Sequence, residues 1–264
     1  MSEFLKSGNR VVAKPSGLDY KLEANKLYYL KYDSWEGTTY LEINNGDLKL
    51  PETLIYSDSE NNFVTKILSY FKRTNKQTTG VLLNGLKGSG KTVMAKLIAR
   101  NSNLPIIIVS SDCPTRHVST FFSKFKDTET CVIFDEIDKN ERYWNTEDLL
   151  SFLDGIRDTG KKLVLLTCNT DSKINEYILD RCSRVRYYRK FESLTKESII
   201  EVAEKYIPKD KIEEVTDFII NRFKCISYDN VVSFLEEVKV YNDVETLENI
   251  AKDLNITTIC NPKR

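Results

Sequence analysis

Four short apolar runs punctuate the middle of the chain: "GVLLN" (80–84), "LPIIIVS" (104–110), "CVIFDEID" (131–138) and "KLVLLTCN" (162–169). Each is an apolar run of about five residues with its flanks, built on three or four consecutive apolar side chains, neither alternating nor long. That pattern predicts strands buried on both faces of a parallel sheet. Between them the spacing turns helical, from Thr92 to Arg100, through "HVSTFFSKF" and through "TEDLLSFLDGIRD". A further strand is expected at "RVRYY" (184–188). The alternation of strand and helix predicts an α/β layer covered on both sides. Upstream, "SENNFVTKILSYFKRT" places Phe63, Ile67, Tyr70 and Phe71 at helical intervals, with Ser59 as the expected N-cap.

The two ends of the chain read differently. "KLYYLKYD" and "TTYLEIN", joined by "SWEG", predict a β-hairpin turning through Gly37, within a small β-rich module over residues 1–50. After about Phe191 the strand signal stops, and "TKESIIEVAEKYI", "KDKIEEVTDFIINRF", "SYDNVVSFLEEVKVY" and "DVETLENIAKDLN" predict four helices. Three domains are therefore expected: 1–50 β-rich, 51–190 α/β, and 191–264 helical.

Composition narrows the function classes. Lys+Arg and Asp+Glu balance at 39 each, so there is no overall basic footprint for nucleic acid. No run approaches the roughly 18 apolar residues of a membrane span, and "MSEFLKSGNR" lacks the apolar core of a signal peptide. Six scattered cysteines without a C-x-x-C pair are expected to be reduced, in a cytoplasmic protein. His117 is the single histidine, which argues against a His-based metal site or a Ser-His-Asp triad.

The chemistry lies at the strand ends. "GLKGSGKT" satisfies G-x-x-x-x-G-K-[ST] with Gly85, Leu86, Lys87, Gly88, Ser89, Gly90, Lys91 and Thr92. Its glycines let successive N–H groups face phosphates, and the following helix adds its positive end. Lys91 is expected to reach the β- and γ-phosphates of ATP, and the Thr92 hydroxyl to ligate Mg²⁺. "CVIFDEID" ends in Asp135, Glu136 and Asp138 where open α/β sheets bind ligands. Neighbours on a strand point oppositely, so the two carboxylates are expected to divide the work. Asp135 is assigned to the Mg²⁺ shell and Glu136 to orienting and deprotonating the attacking water. Asn169, ending "LVLLTCN", is placed to hold that water or the γ-phosphate.

In order, these segments resemble the AAA+ ATPases, and within them the AAA-proper branch, over roughly residues 50–240. "GVLLNGLKGSGKT" looks like the Walker A strand and loop, "CVIFDEID" like Walker B, and "TCN" like sensor 1. "LLSFLDG" is similar to the helix after Walker B, and "ILDRCSRVR" to the second region of homology. The resemblance implies a P-loop NTPase fold with a helical lid, and ATP bound at the subunit interfaces of a ring, usually a hexamer. It implies that Arg181 and Arg184 reach a neighbour's γ-phosphate as arginine fingers, with Arg186 a solvated edge charge. It also puts adenine near Ile55 and Tyr56. Two features depart from the family pattern. "SSDCPTRHV" lacks the aromatic residue of polypeptide-threading members, and "SYDNVV" has no sensor-2 arginine, with Asn230 the nearest polar substitute.

The expected activity is ATP hydrolysis that remodels a protein client recruited through residues 1–50, with no membrane partner. The runner-up is a nucleic-acid ATPase of clamp-loader or helicase-loader type, drawing on "KRTNK" and "YYRKF" for phosphate contacts. A third reading is an ATP-gated scaffold, which an intact Glu136 disfavours.

Overall fold

A computed structural model of the chain describes residues 4–13, 21–51, 58–75, 78–139, 144–155, 158–169, 184–241 and 246–258. The chain divides into two compact units, Met1–Asn84 with Lys91–Lys190, and Gly85–Gly90 with Phe191–Arg264.

The first unit is built on a sheet of nine strands among the described residues: β1 (Phe4–Ser7), β2 (Arg10–Ala13), β3 (Leu27–Asp33), β4 (Thr38–Asn44), β5 (Thr78–Gly85), β6 (Ile106–Val109), β7 (Thr130–Phe134), β8 (Lys162–Cys168) and β9 (Val185–Phe191). Their order is β1-β2-β4-β3-β6-β7-β8-β5-β9. The four apolar runs form the adjacent strands β6, β7, β8 and β5, paired in parallel. Every residue of β7 and β8 is buried, as two-sided cover requires. Helices α1 (Asp58–Arg73), α2 (Lys91–Ser102), α3 (Thr115–Phe122) and α4 (Thr146–Leu153) belong to this unit. Helix α1 begins one residue ahead of Ser59, which therefore lies in the first turn instead of capping it.

The N-terminal hairpin forms as expected from β3 and β4, antiparallel in register Leu27↔Asn44 to Asp33↔Thr38. It also lengthens the central sheet. β3 runs parallel to β6, with Leu27 beside Ile106 and Leu30 beside Val109. Tyr28, Leu30 and Leu41 share one apolar core with Phe121, Phe122, Phe134 and Phe152. Cys113 and Cys131 fill buried positions, where loss of solvation pushes the Cys113 thiol up to about 12 and raises that of Cys131 further.

The second unit contains α5 (Lys196–Ala203), α6 (Ile212–Arg222), α7 (Tyr228–Tyr241) and α8 (Leu247–Asp253), the four helices read from the periodicity. Thr195 and Thr246 cap α5 and α8 through their hydroxyls, accepting from Ser198 N–H and Asn249 N–H. Phe218, Phe223 and Phe234 form its aromatic centre, with Phe218 stacked on Phe234 at 5.5 Å.

Candidate nucleotide site

In the first unit, the start of α2 and the ends of β7 and β8 bring five of the expected residues together. Thr92 Oγ1 donates to Asp135 Oδ1 at 2.9 Å. The same carboxylate oxygen accepts from Thr167 Oγ1 at 2.6 Å. Thr167 Oγ1 in turn accepts the Glu136 backbone N–H at 2.8 Å. Asn169 Nδ2 donates to Glu136 Oε1 at 3.3 Å, and its N–H donates to Asp138 Oδ1 at 3.0 Å. Lys91 is only 5% exposed. Burial lowers its pKa, opposed by the charge of Asp138 and, more weakly, of Glu136 and Asp135.

The two carboxylates separate by a different device from the one expected. β7 ends at Phe134, so strand alternation no longer governs Asp135 and Glu136. Glu136 instead takes a left-handed backbone with φ 54°. Such a conformation costs a non-glycine residue roughly 1–3 kcal/mol and persists only where its surroundings hold it. Thr167 at its N–H and Lys139 at its carboxylate supply that hold. Lys139 Nζ donates to Glu136 Oε1 at 2.5 Å and is the main cause of a Glu136 pKa below the usual carboxylate value.

Thr167 and Lys139 escaped the sequence reading. Thr167 had a signal, because positions two apart on a strand share a side, so Thr167 lies on the side that Asn169 marks.

In the second unit, the loop Gly85–Gly90 folds tightly on itself. Ser89 Oγ donates to Leu86 O at 2.6 Å, and Leu86 N–H donates to Phe191 O at 3.1 Å. Gly85, Gly88 and Gly90 have φ of 135°, 74° and 95°, which L side chains rarely adopt. At Gly88 the fit is also steric, since a Cβ there would lie 2.8 Å from Asp229 Cβ. The Asp229 N–H donates to Gly88 O at 3.0 Å. Asn230 turns instead to the Cys225 carbonyl, at 3.1 Å.

The arginines part company. Arg184 grips Asp154, at the C-cap of α4, through two bonds of 2.7 Å from Nε and a terminal nitrogen. This is the fork geometry that matches a carboxylate. Arg186 is exposed on the outermost strand β9, as expected of a solvated edge charge, and its guanidinium also lies 4.3 Å from the centre of the Tyr70 ring. Arg181, Ile55 and Tyr56 lie outside the described residues.

Residues 81–190 match the model of the family described as "ATPase family associated with various cellular activities (AAA)". They form an AAA ATPase domain. The domain contains the Lys91, Thr92, Asp135, Glu136 and Asn169 cluster and begins within β5. The chain is similar to an ATP-dependent zinc metalloprotease FtsH of Metamycoplasma arthritidis, 26% identical over 145 residues, covering 44% of this chain and 20% of that protein. It is also similar to a cell division cycle protein 48 homolog of Archaeoglobus fulgidus, 31% identical over 132 residues, covering 41% and 18%. The FtsH of Lactococcus lactis is 26% identical over 157 residues, covering 48% and 23%. The chain thus spans about a fifth of the length of these relatives. Among the described residues no helix is long and apolar enough to cross a membrane.

The donor set suits Mg²⁺. A threonine hydroxyl at the start of α2 and a carboxylate just past the end of β7 converge, both hard oxygen groups. Magnesium is ordinarily held by one or two protein oxygens, with water and substrate phosphates completing the shell.

Proposed function

We propose that this chain hydrolyses ATP at the interfaces of a ring, hexameric by family resemblance, and uses the cycle to remodel a protein client. Residues 51–190 serve as ATPase core and 191–264 as helical lid. Residues 1–50 recruit the client while sharing the core's sheet. The observation that carries this reading is the hydrogen-bonded chain Thr92–Asp135–Thr167–Glu136, with Asn169 on the Glu136 carboxylate. It supports the reading because Thr92, Asp135 and the Glu136 backbone all lie within two hydrogen bonds of Thr167.

In this reading the contiguous stretch Gly85–Thr92 holds the phosphates, Lys91 by charge and the loop by its N–H groups. Thr92 and Asp135 hold Mg²⁺, which when bound neutralises charge on the β- and γ-phosphate oxygens. Glu136 accepts the proton of the attacking water, and Asn169 fixes the carboxylate's direction. Arg181 and Arg184 act on a neighbour's γ-phosphate, for which Arg184 exchanges Asp154 for phosphate oxygens. Ile55 and Tyr56 flank adenine.

Glu136→Gln keeps the shape of the side chain and removes the base. ATP binding is expected to persist while hydrolysis falls about 10²–10⁴-fold, the usual share of a general base. Affinity capture with this variant and ATP should retain a protein client. An unchanged hydrolysis rate overturns the assignment of Glu136 and favours the scaffold reading. Recovery of nucleic acid alone, with DNA-stimulated turnover, favours the nucleic-acid reading.

A further inference from the structure

The tip of the β3–β4 hairpin carries Trp35 with 98% of its surface exposed. Indoles are large and apolar, and an exposed one signifies most where it is held in place. Here the backbone that carries it is held: Asp33 Oδ1 accepts from Trp35 N–H at 3.0 Å and from Glu36 N–H at 3.2 Å, and Gly37 closes the turn at φ 64°. The ring is thus presented to solvent by a stiffened turn.

Beside the tip lies a cleft of about 540 Å³. Tyr32 and Ser34 form its hairpin wall, and Asp112, Pro114 and Arg116 come from the segment after β6. Asn145 and Asp148, at the start of α4, complete it. The walls are tied together. Ser110 N–H donates to Leu30 O at 3.0 Å, Trp144 Nε1 to Cys113 O at 3.1 Å, and Asn145 N–H to Thr115 Oγ1 at 3.0 Å. The Tyr32 ring is backed by His117, stacked at 4.6 Å. Such a preformed cleft loses little entropy on binding.

Its lining sets two carboxylates, Asp112 and Asp148, against one guanidinium, Arg116, and the Lys31 ammonium is near enough to feel the Asp112 charge. Arg116 Nε points to His117 Nε2 at 3.1 Å, and burial together with the Arg116 charge disfavours protonation of His117. Among the described residues, Asp148 accepts a long contact of 3.5 Å from Thr115 Oγ1. The Asp112 side chain makes no hydrogen bond or ion pair among the described residues. Glu36 adds a further carboxylate at the tip, while Asp33 is already paired with Arg10.

We propose that the hairpin tip and this cleft dock an extended, cationic segment of a partner protein, with Trp35 covering its apolar part and Asp112 and Asp148 receiving its Lys or Arg side chains. The occupant follows from complementarity. Carboxylates beside aromatic rings attract ammonium and guanidinium groups, whereas a phosphate backbone or an anionic lipid surface would meet like charge. The proposal deepens the reading that the client is a protein and names what the recruiting segment recognises.

The chain has two tryptophans, so Trp144→Phe leaves Trp35 as the sole reporter. The probe is a short Lys/Leu/Ser peptide, with its Glu-for-Lys counterpart and a single-stranded oligonucleotide as controls. The cationic peptide should shift Trp35 emission to shorter wavelength saturably, and the controls should not. Polarisation of the labelled peptide on the otherwise unaltered chain should show at least tenfold weaker binding for Asp112→Asn/Asp148→Asn and for Trp35→Ala. This measurement stands even if Trp144→Phe fails to fold. Equal response to both peptides, preference for the oligonucleotide, or indifference to the substitutions overturns the proposal. So does coverage of Trp35 by self-association, seen as a concentration-dependent emission shift without peptide. Glu136→Gln should bind the peptide unchanged, so a failure of the hydrolysis reading is distinguishable from a failure here.

Discussion

Glu136 sits where backbone strain, a lysine and an amide meet, and its protonation depends on that company. Lys139 lowers its pKa, so the base is available down to a lower pH than an ordinary glutamate would allow. Removing the lysine charge with Lys139→Met should raise that pKa. The acid limb of the kcat/KM profile should then move to higher pH, while the plateau above it is less affected. Thr167 is the second residue to test, because one hydroxyl donates to Asp135 and accepts from Glu136. Thr167→Val keeps the shape and strands a backbone donor, so it should cost about 1–3 kcal/mol in urea denaturation, with Thr167→Ser recovering most of the loss.

At the scale of elements, the approach of β9 to β5 depends on a missing side chain. A Cβ on Gly80 would lie 2.1 Å from the backbone oxygen of Arg184, which cannot move without shifting the strand. Gly80→Ala should therefore destabilise the chain by roughly 3 kcal/mol, the upper end for overpacking. Gly46→Ala, which meets only the Asn44 side chain at 3.2 Å, should stay within about 0.5 kcal/mol in the same urea series. The strands and helices themselves were legible, because β5 to β8 are buried on both faces and α5 to α8 carry an apolar stripe. Partners in space were not. Nothing in "KLYYLKYD" says that it will lie along "IIIV", since parallel pairing is set by side chains distant in sequence. For the site, the phosphate loop and acidic strand end declared themselves by residue type at fixed spacing. Thr167, Lys139 and Asp154 did not, because their roles arise only when separate elements converge.

For the whole molecule, the open question is which chain the arginines serve. Arg181→Ala and Arg184→Ala should each leave ATP binding largely intact and cut hydrolysis by about 10³-fold, the lower end for an arginine finger. Mixing either with Glu136→Gln subunits should restore part of the turnover, because intact half-sites then meet. If rings form and no turnover returns, the arginines work within their own chain, as the Arg184–Asp154 fork does in the isolated molecule.

The pairing of β3 with β6 also bears on how this protein can be made and cut. During synthesis the hairpin emerges long before the strand it must lie against, so its inner edge stays open until Ile106–Val109 arrive. Trimming the chain to its ATPase core would bare the backbone of β6 along that same edge. An unpaired strand of consecutive isoleucines is a template for other chains. The N-terminal strands therefore cover an edge of β6 that would otherwise stand open to pairing with other chains.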